Sequence, residues 1–215
     1  MADEHFECFL QDLPFSIQGP ACTDEHVRAY TGVVPDCLIS YWREFGFSGF
    51  GKGAAWLVDP IEWKLTTEEI ILDRVRHPRL GEDAQFIPFA RSAFGKVWFW
   101  TPGYGISLIV DMARGILYPK PQARDLSPSG LELTMHAFFG ASTLDRFEFY
   151  DRDEQPMFER THQHLGELQF DEVYGFAPGL LMGAPAIVDA THLFQIHVHM
   201  AFLRTAIGDD WHVVI

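Results

Sequence analysis

Cysteine is scarce in this chain, and what there is does not make a framework. Cys8, Cys22 and Cys37 are the three among 215 residues, all fall in the first fifth, and no Cys-x-x-Cys occurs. An odd, clustered set argues against a disulfide-stapled secreted scaffold and fits a reducing compartment. Positive charge is thin too: 16 Lys plus Arg face 30 Asp plus Glu, for a net charge of −14. A surface of that sign repels phosphate backbones and anionic lipid, so nucleic acid and membranes are poor partners and a basic protein is a good one. No run approaches the roughly 20 apolar residues that a membrane helix needs. Met1-Ala2-Asp3-Glu4-His5 is acidic where a signal peptide would be basic. The expected location is the cytoplasm. Internal repeats and low-complexity tracts are also missing.

What the chain has in quantity is aromatic surface to bury: 19 Phe and 6 Trp in a composition that is 47 % hydrophobic. Large rings bury much area each, so a real core is expected even for half the chain. The best candidate boundary is the stretch 119–128, which carries Pro119, Pro121 and Pro128 among mostly polar residues and cannot continue a strand or helix. A division into residues 1–122 and 123–215 separates 11 basic and 16 acidic residues from 5 basic and 14 acidic, so the shorter part carries net −9 against −5.

In the first part, Leu38, Tyr41, Trp42 and Phe45 recur at helical spacing and Gly46 supplies a stop. The glycine-rich stretch 46–53 follows, then Ala54-Ala55-Trp56-Leu57-Val58 reads as a buried strand. Thr66 or Thr67 is placed to cap a short helix through Leu72. Residues 86–93, 96–100, 106–110 and 115–118 are rich in β-branched and aromatic residues with glycine in the gaps, the pattern of an antiparallel meander. Beyond the boundary, Ser127-Pro128 opens a helix towards Phe139, and helices are expected over 153–165 and 189–207. In the last of these, Leu193, Ile196, Met200, Leu203 and Ile207 share a face. The expected fold is α+β: a small antiparallel sheet with flanking helices, then a mainly helical C-terminal domain.

Searches for chemistry give little. His162/His164 and His197/His199 are pairs two apart, which would share one face of a strand but point about 200° apart on a helix, where these segments are expected to lie. The Gly51-Lys52 pair lacks a following Ser or Thr and precedes a strand, the reverse of a phosphate loop, so it reads as a turn needing positive φ. There is no Gly-x-Ser-x-Gly, and no serine or cysteine has an evident base. We therefore expect no catalytic residue, no metal site and no cofactor.

The most suggestive local feature is the acidic, aromatic run 145–154, continued to Glu159. Asp145, Glu148, Tyr150, Asp151, Asp153, Glu154 and Glu159 are candidate contacts to a basic partner, since aromatic anchors beside charges suit an interface. The alternative is a solvated turn whose rings face the core. The stretch 169–176 carries the same ambiguity.

Residues Val34-Pro35, Leu38 and Tyr41-Trp42-Arg43-Glu44-Phe45-Gly46, the glycine stretch, Ala54-Ala55-Trp56-Leu57-Val58-Asp59-Pro60, and Ala90-Arg91-Ser92-Ala93-Phe94-Gly95 together resemble the opening of GAD-like domains. The run from Phe170-Asp171-Glu172-Val173-Tyr174-Gly175-Phe176 to Gly183 is similar to the domain that accompanies them in type VI secretion immunity proteins. The resemblance implies a cognate immunity protein, a non-enzymatic antitoxin. Such a protein binds and neutralises a secreted antibacterial effector, often a DNase, and so protects producer and sibling cells in interbacterial competition. It transfers no catalytic residues. The competing expectations are a regulatory protein-binding adaptor, marked by an exposed apolar patch without a toxin partner, and a hydrolase, marked by a deep pocket with ionisable groups.

Overall fold

A computed structural model describes residues 3–72, 75, 77–81, 83–209 and 211–214. The chain begins with α1 (Glu4–Asp12), capped by the Asp3 carboxylate, which accepts from His5 N and Phe6 N. β1 (Phe15–Ile17), α2 (Asp24–Tyr30) and α3 (Asp36–Phe45) follow, with α3 closing at Gly46 as the spacing predicts. β2 (Gly49–Phe50) and β3 (Ala55–Leu57) form a hairpin whose turn needs positive φ at Gly51, Lys52 and Gly53. The glycine stretch is thus a turn. The expected short helix is a π-helix, Thr66–Ile71.

The meander is β4 (Ile87–Ser92), β5 (Lys96–Thr101), β6 (Gly105–Asp111) and β7 (Ile116–Pro119), within a residue or two of its expected bounds. Alternation along β5 shows why these residues make a central strand. Trp98 and Trp100 enter one hydrophobic cluster, Val97 and Phe99 the other. Both faces of the sheet are therefore covered. The prolines of 119–128 end the meander, and Lys120 N and Ala123 N still donate to Ser107 O and Tyr104 O of the sheet.

Residues after the prolines form α4 (Pro128–Gly140), α5 (Leu144–Phe147), α6 (Phe158–Leu165), β8 (Glu172–Phe176), β9 (Thr191–Gln195), α7 (Ile196–Ile207) and β10 (His212–Val213). Met135, Phe138 and Phe139 of α4 join Phe6, Trp42 and Phe89 on one side of the sheet. Ile196, Met200, Leu203 and Ile207 of α7 join Val97, Phe99 and Val110 on the other. The sheet runs β1-β2-β3-β4-β5-β6-β7-β10, antiparallel except for the parallel β7–β10 pair, and β8–β9 is a separate antiparallel hairpin. The mixed α+β reading with a mainly antiparallel sheet holds.

Two expected helices are corrected. The segment 153–165 is helical only from Phe158. Before it, Asp151 accepts from Asp153 N and Gln155 N in a tight turn, and Glu154 sits at φ 57°. The segment 189–207 is α-helical only from Ile196: a 3-10 turn, Val188–Ala190, precedes residues 191–195, which pair with β8 in the register Glu172↔Gln195 to Phe176↔Thr191. The Gln195 side chain then accepts from Val198 N and starts α7.

Candidate functional site

The acidic run divides by what each side chain touches. Glu148 is buried, 5 % exposed, and one of its carboxylate oxygens accepts from Phe149 N, Met157 N and Phe158 N. Phe147 and Phe149 are core residues. Asp145 accepts from the Tyr150 hydroxyl, and this contact holds the phenol above its usual range. Asp151 lies 2.6 Å from Arg160 Nη2, and that guanidinium, with Gln155 N and Asp153 N, keeps its carboxyl below the ordinary value. Glu159 pairs with Lys52 at 3.1 Å across to the β2–β3 turn, which lowers its carboxyl likewise. Asp153 and Glu154 stand fully outward at the tip of the turn, and Tyr150 is 38 % exposed. Of the seven candidates, Asp145, Tyr150, Asp153, Glu154 and Glu159 are exposed, Asp151 is half-buried and Glu148 is buried.

The histidine pairs separate as helical residues must. His197 Nε2 meets Glu62 at 2.6 Å and its Nδ1 meets Thr66, while His199 lies flat on Phe194 with ring centroids 4.4 Å apart. His162 Nδ1 lies 3.3 Å from the Tyr174 hydroxyl.

Two features escape sequence reasoning. The first is Arg91, buried at 2 % exposure in β4. Its guanidinium stacks 4.5 Å from the Trp56 ring centroid, and Nη2 donates to Phe170 O at 2.8 Å. Burial pushes it down to about 9, with Glu62 and Asp171 pulling the other way, so it stays charged at neutral pH. The cavity beside it measures about 30 Å³, room for a water.

The second is an open apolar pocket of about 280 Å³ where the β8–β9 hairpin meets α7, lined by Phe176, Pro178, Phe194, Val198, His199 and Phe202. Val198 is 71 % and Phe202 45 % exposed, and Leu181, Met182 and Leu193 add further exposed apolar surface from the neighbouring segments. His199 forms one wall, and burial pushes its imidazole down to about 4, so the wall is uncharged at neutral pH. The pocket belongs to the same neighbourhood as the acidic turn. Arg152 N donates to Ala186 O, and the Phe149 ring, just before the turn, lies 5.2 Å from that of the pocket residue Phe176. The signal for it was present as Val198 and Phe202, apolar residues on the face of α7 opposite the buried one.

The arrangement is that of a mixed α+β protein on a mainly antiparallel, aromatic-rich sheet, carrying an uncharged surface pocket beside exposed carboxylates. The chain belongs to the GAD-like domain family, which matches residues 4–114, more than half its length. The structure is similar to the crystal structure of Atu4351 from Agrobacterium tumefaciens, with a TM-score of 0.78 over 94 % of this chain and 89 % of that one at 16 % identity, a likeness of fold. No curated protein matches. Among the described residues, no helix is long and apolar enough to cross a membrane.

Proposed function

We propose that this protein is a type VI immunity protein. In this reading it binds a secreted antibacterial toxin, most simply a DNase, and silences it in the cytoplasm without making or breaking a covalent bond. Residues 123–215 supply the contact surface in this reading. The observation that carries it is the apolar pocket of the β8–β9 hairpin and α7 beside an acidic turn. Desolvated apolar anchors supply most of the binding energy in protein interfaces, and rim charges set orientation and rate.

A nuclease holds a polyanion, so its cleft is basic. A chain of net charge −14 is steered towards it. Asp153 and Glu154 at the turn tip meet the basic rim, and a side chain of the toxin enters the pocket against Phe202 and Val198. Glu148, Asp151 and Glu159 act at one remove, by holding the turn in shape.

The test is co-expression with the toxin encoded beside this gene. The wild-type chain restores growth. The double variant V198D/F202D loses rescue while remaining folded, since both side chains are exposed and surface changes cost within about 1 kcal/mol. Full rescue by that variant would remove the pocket from the interface. Absence of any complex with the toxin would favour the adaptor reading, which the same exposed apolar surface supports.

A further inference from the structure

Away from that surface, three donor side chains meet where α3 and α4 face each other. Cys37 stands in the first turn of α3, and Glu132 and His136 lie one turn apart on α4. One donor atom from each (thiol, carboxylate oxygen, imidazole nitrogen) lies within 4.8 Å of the other two, and no other trio of His, Cys, Asp or Glu comes as close among the described residues. The spacing has a physical reason. Positions i and i+4 share a helix face, so α4 delivers a carboxylate and an imidazole together, and the facing helix adds sulfur.

A second, independent observation concerns the far side of the imidazole. His136 Nδ1 faces Asp3 Oδ2 at 3.3 Å and the Tyr41 hydroxyl at 3.1 Å, while Nε2 is the nitrogen turned to Glu132, at 3.9 Å. A carboxylate on the outer nitrogen is the usual support of a metal-bound histidine, because it fixes the tautomer and makes the inner nitrogen the free base. Burial opposes the charged form of Asp3, but hydrogen bonds from Tyr41 and from the first N–H groups of α1 outweigh it and hold its carboxyl below the usual value.

We propose that Cys37, Glu132 and His136 form a binding site for a zinc-class divalent cation, with water as fourth ligand, Asp3 in support, and the metal stapling α3 to α4. The mixed sulfur, nitrogen and oxygen set suits zinc. Magnesium and calcium want oxygen alone. Tetrahedral zinc with bonds of about 2.0–2.3 Å sets its donors roughly 3.3–3.8 Å apart, so the cluster closes by about 1 Å on binding. The Glu132 and His136 side chains are 29 % and 20 % exposed, and the move is made against the hydrogen bonds each already holds. Glu132 already accepts from Asp36 N and Cys37 N at the start of α3, where Pro35 offers no capping side chain. A carboxylate has about four lone-pair positions, so a metal can share it. Burial first, and the Glu132 carboxylate second, hold the Cys37 thiol far above its usual range. The cation replaces that thiol proton, which leaves to solvent, and neutralises sulfur and carboxylate together. The staple ties an N-terminal helix to α4, on the other side of the proline-rich stretch. Histidine pairs two apart, the natural place to look in the sequence, miss this site because its ligands lie 95 and 99 positions from the cysteine.

The test uses the full chain stripped with chelator and dialysed against zinc chloride, with bound zinc measured by plasma mass spectrometry and affinity by competition with a chromophoric chelator. We expect one zinc per chain and a raised melting temperature. Cobalt(II) should give a thiolate charge-transfer band in the near ultraviolet. C37S should lose the band and, like H136Q, bind zinc at least about 100-fold more weakly; D3N should bind about 10-fold more weakly. Sub-stoichiometric zinc in the wild type, or wild-type affinity in C37S or H136Q, would overturn the proposal. Should C37S not fold by circular dichroism, H136Q alone decides, since its side chain is partly exposed.

Discussion

Glu148 shows how far a residue's role can lie from its composition. In a run of charges it looks like a surface carboxylate, yet it is the acceptor for three backbone N–H groups that open α6 and close the loop before it. Those donors belong to Phe149, Met157 and Phe158, one to ten positions away, so only the folded turn reveals the demand. Glu148→Ala leaves Phe149 N and Phe158 N unsatisfied in a buried place, while Met157 N keeps Phe149 O, and should destabilise the protein by about 2–4 kcal/mol in urea unfolding, whereas Glu148→Gln, which keeps an acceptor oxygen, should lose less than half of that. Asp153→Ala with Glu154→Ala should leave stability unchanged, because both side chains face water. His199 gives a pH dependence with a definite sign. Its folded value, about 4, lies below its ordinary 6.5, so the unfolded chain takes up a proton that the folded chain refuses. Its contribution is neutral above pH 6.5 and costs increasing stability as pH falls towards 4, by about 2–3 kcal/mol at the lower end. The difference between wild type and His199→Gln, measured in urea from pH 7 to pH 4, should fall along that curve, and a flat difference would place the imidazole in water.

At the scale of elements, legibility followed the strength of the local pattern. The four meander strands were readable from their β-branched and aromatic runs, α3 from its spacing and closing Gly46, and the start of α4 from Ser127-Pro128, whereas α4 runs through Gly140 to a cap at Ala141. Strand β9 was not, because His192, Leu193 and Phe194 suit a helical stripe as well as a strand. What decides is β8, whose edge needs a partner and finds one across the 177–190 segment. Gly175 in β8 marks the packing of that hairpin on α7: a methyl there would meet the His199 ring and Phe194. Gly175→Ala should therefore cost about 1–3 kcal/mol and disturb the pocket, seen as loss of stability together with weakened toxin binding. Removing the α4 cap is a milder change. Ser127→Ala loses the acceptor for Gly130 N and should cost about 1 kcal/mol.

For the whole molecule, the mixed α+β class and the acidic balance were legible, and the location of the exposed apolar pocket was not, because exposure depends on which face of α7 the sheet covers. Contacts cross the expected division at residue 122: Tyr174 N donates to Ala93 O, α4 packs on α1, and one aromatic cluster runs from Phe6 to Phe176. Calorimetry should accordingly show one cooperative transition, and two separated transitions would give the division at residue 122 a thermodynamic meaning. The central claim is that function is shape and charge matching to a lethal protein. It is tested most directly by titrating the purified neighbouring toxin with this chain and following cleavage of plasmid DNA. The account predicts that cleavage stops at one equivalent, with the toxin recovered chemically intact in a stoichiometric complex. Undiminished cleavage at tenfold excess, or a toxin inactivated by covalent change at substoichiometric amounts, would contradict it.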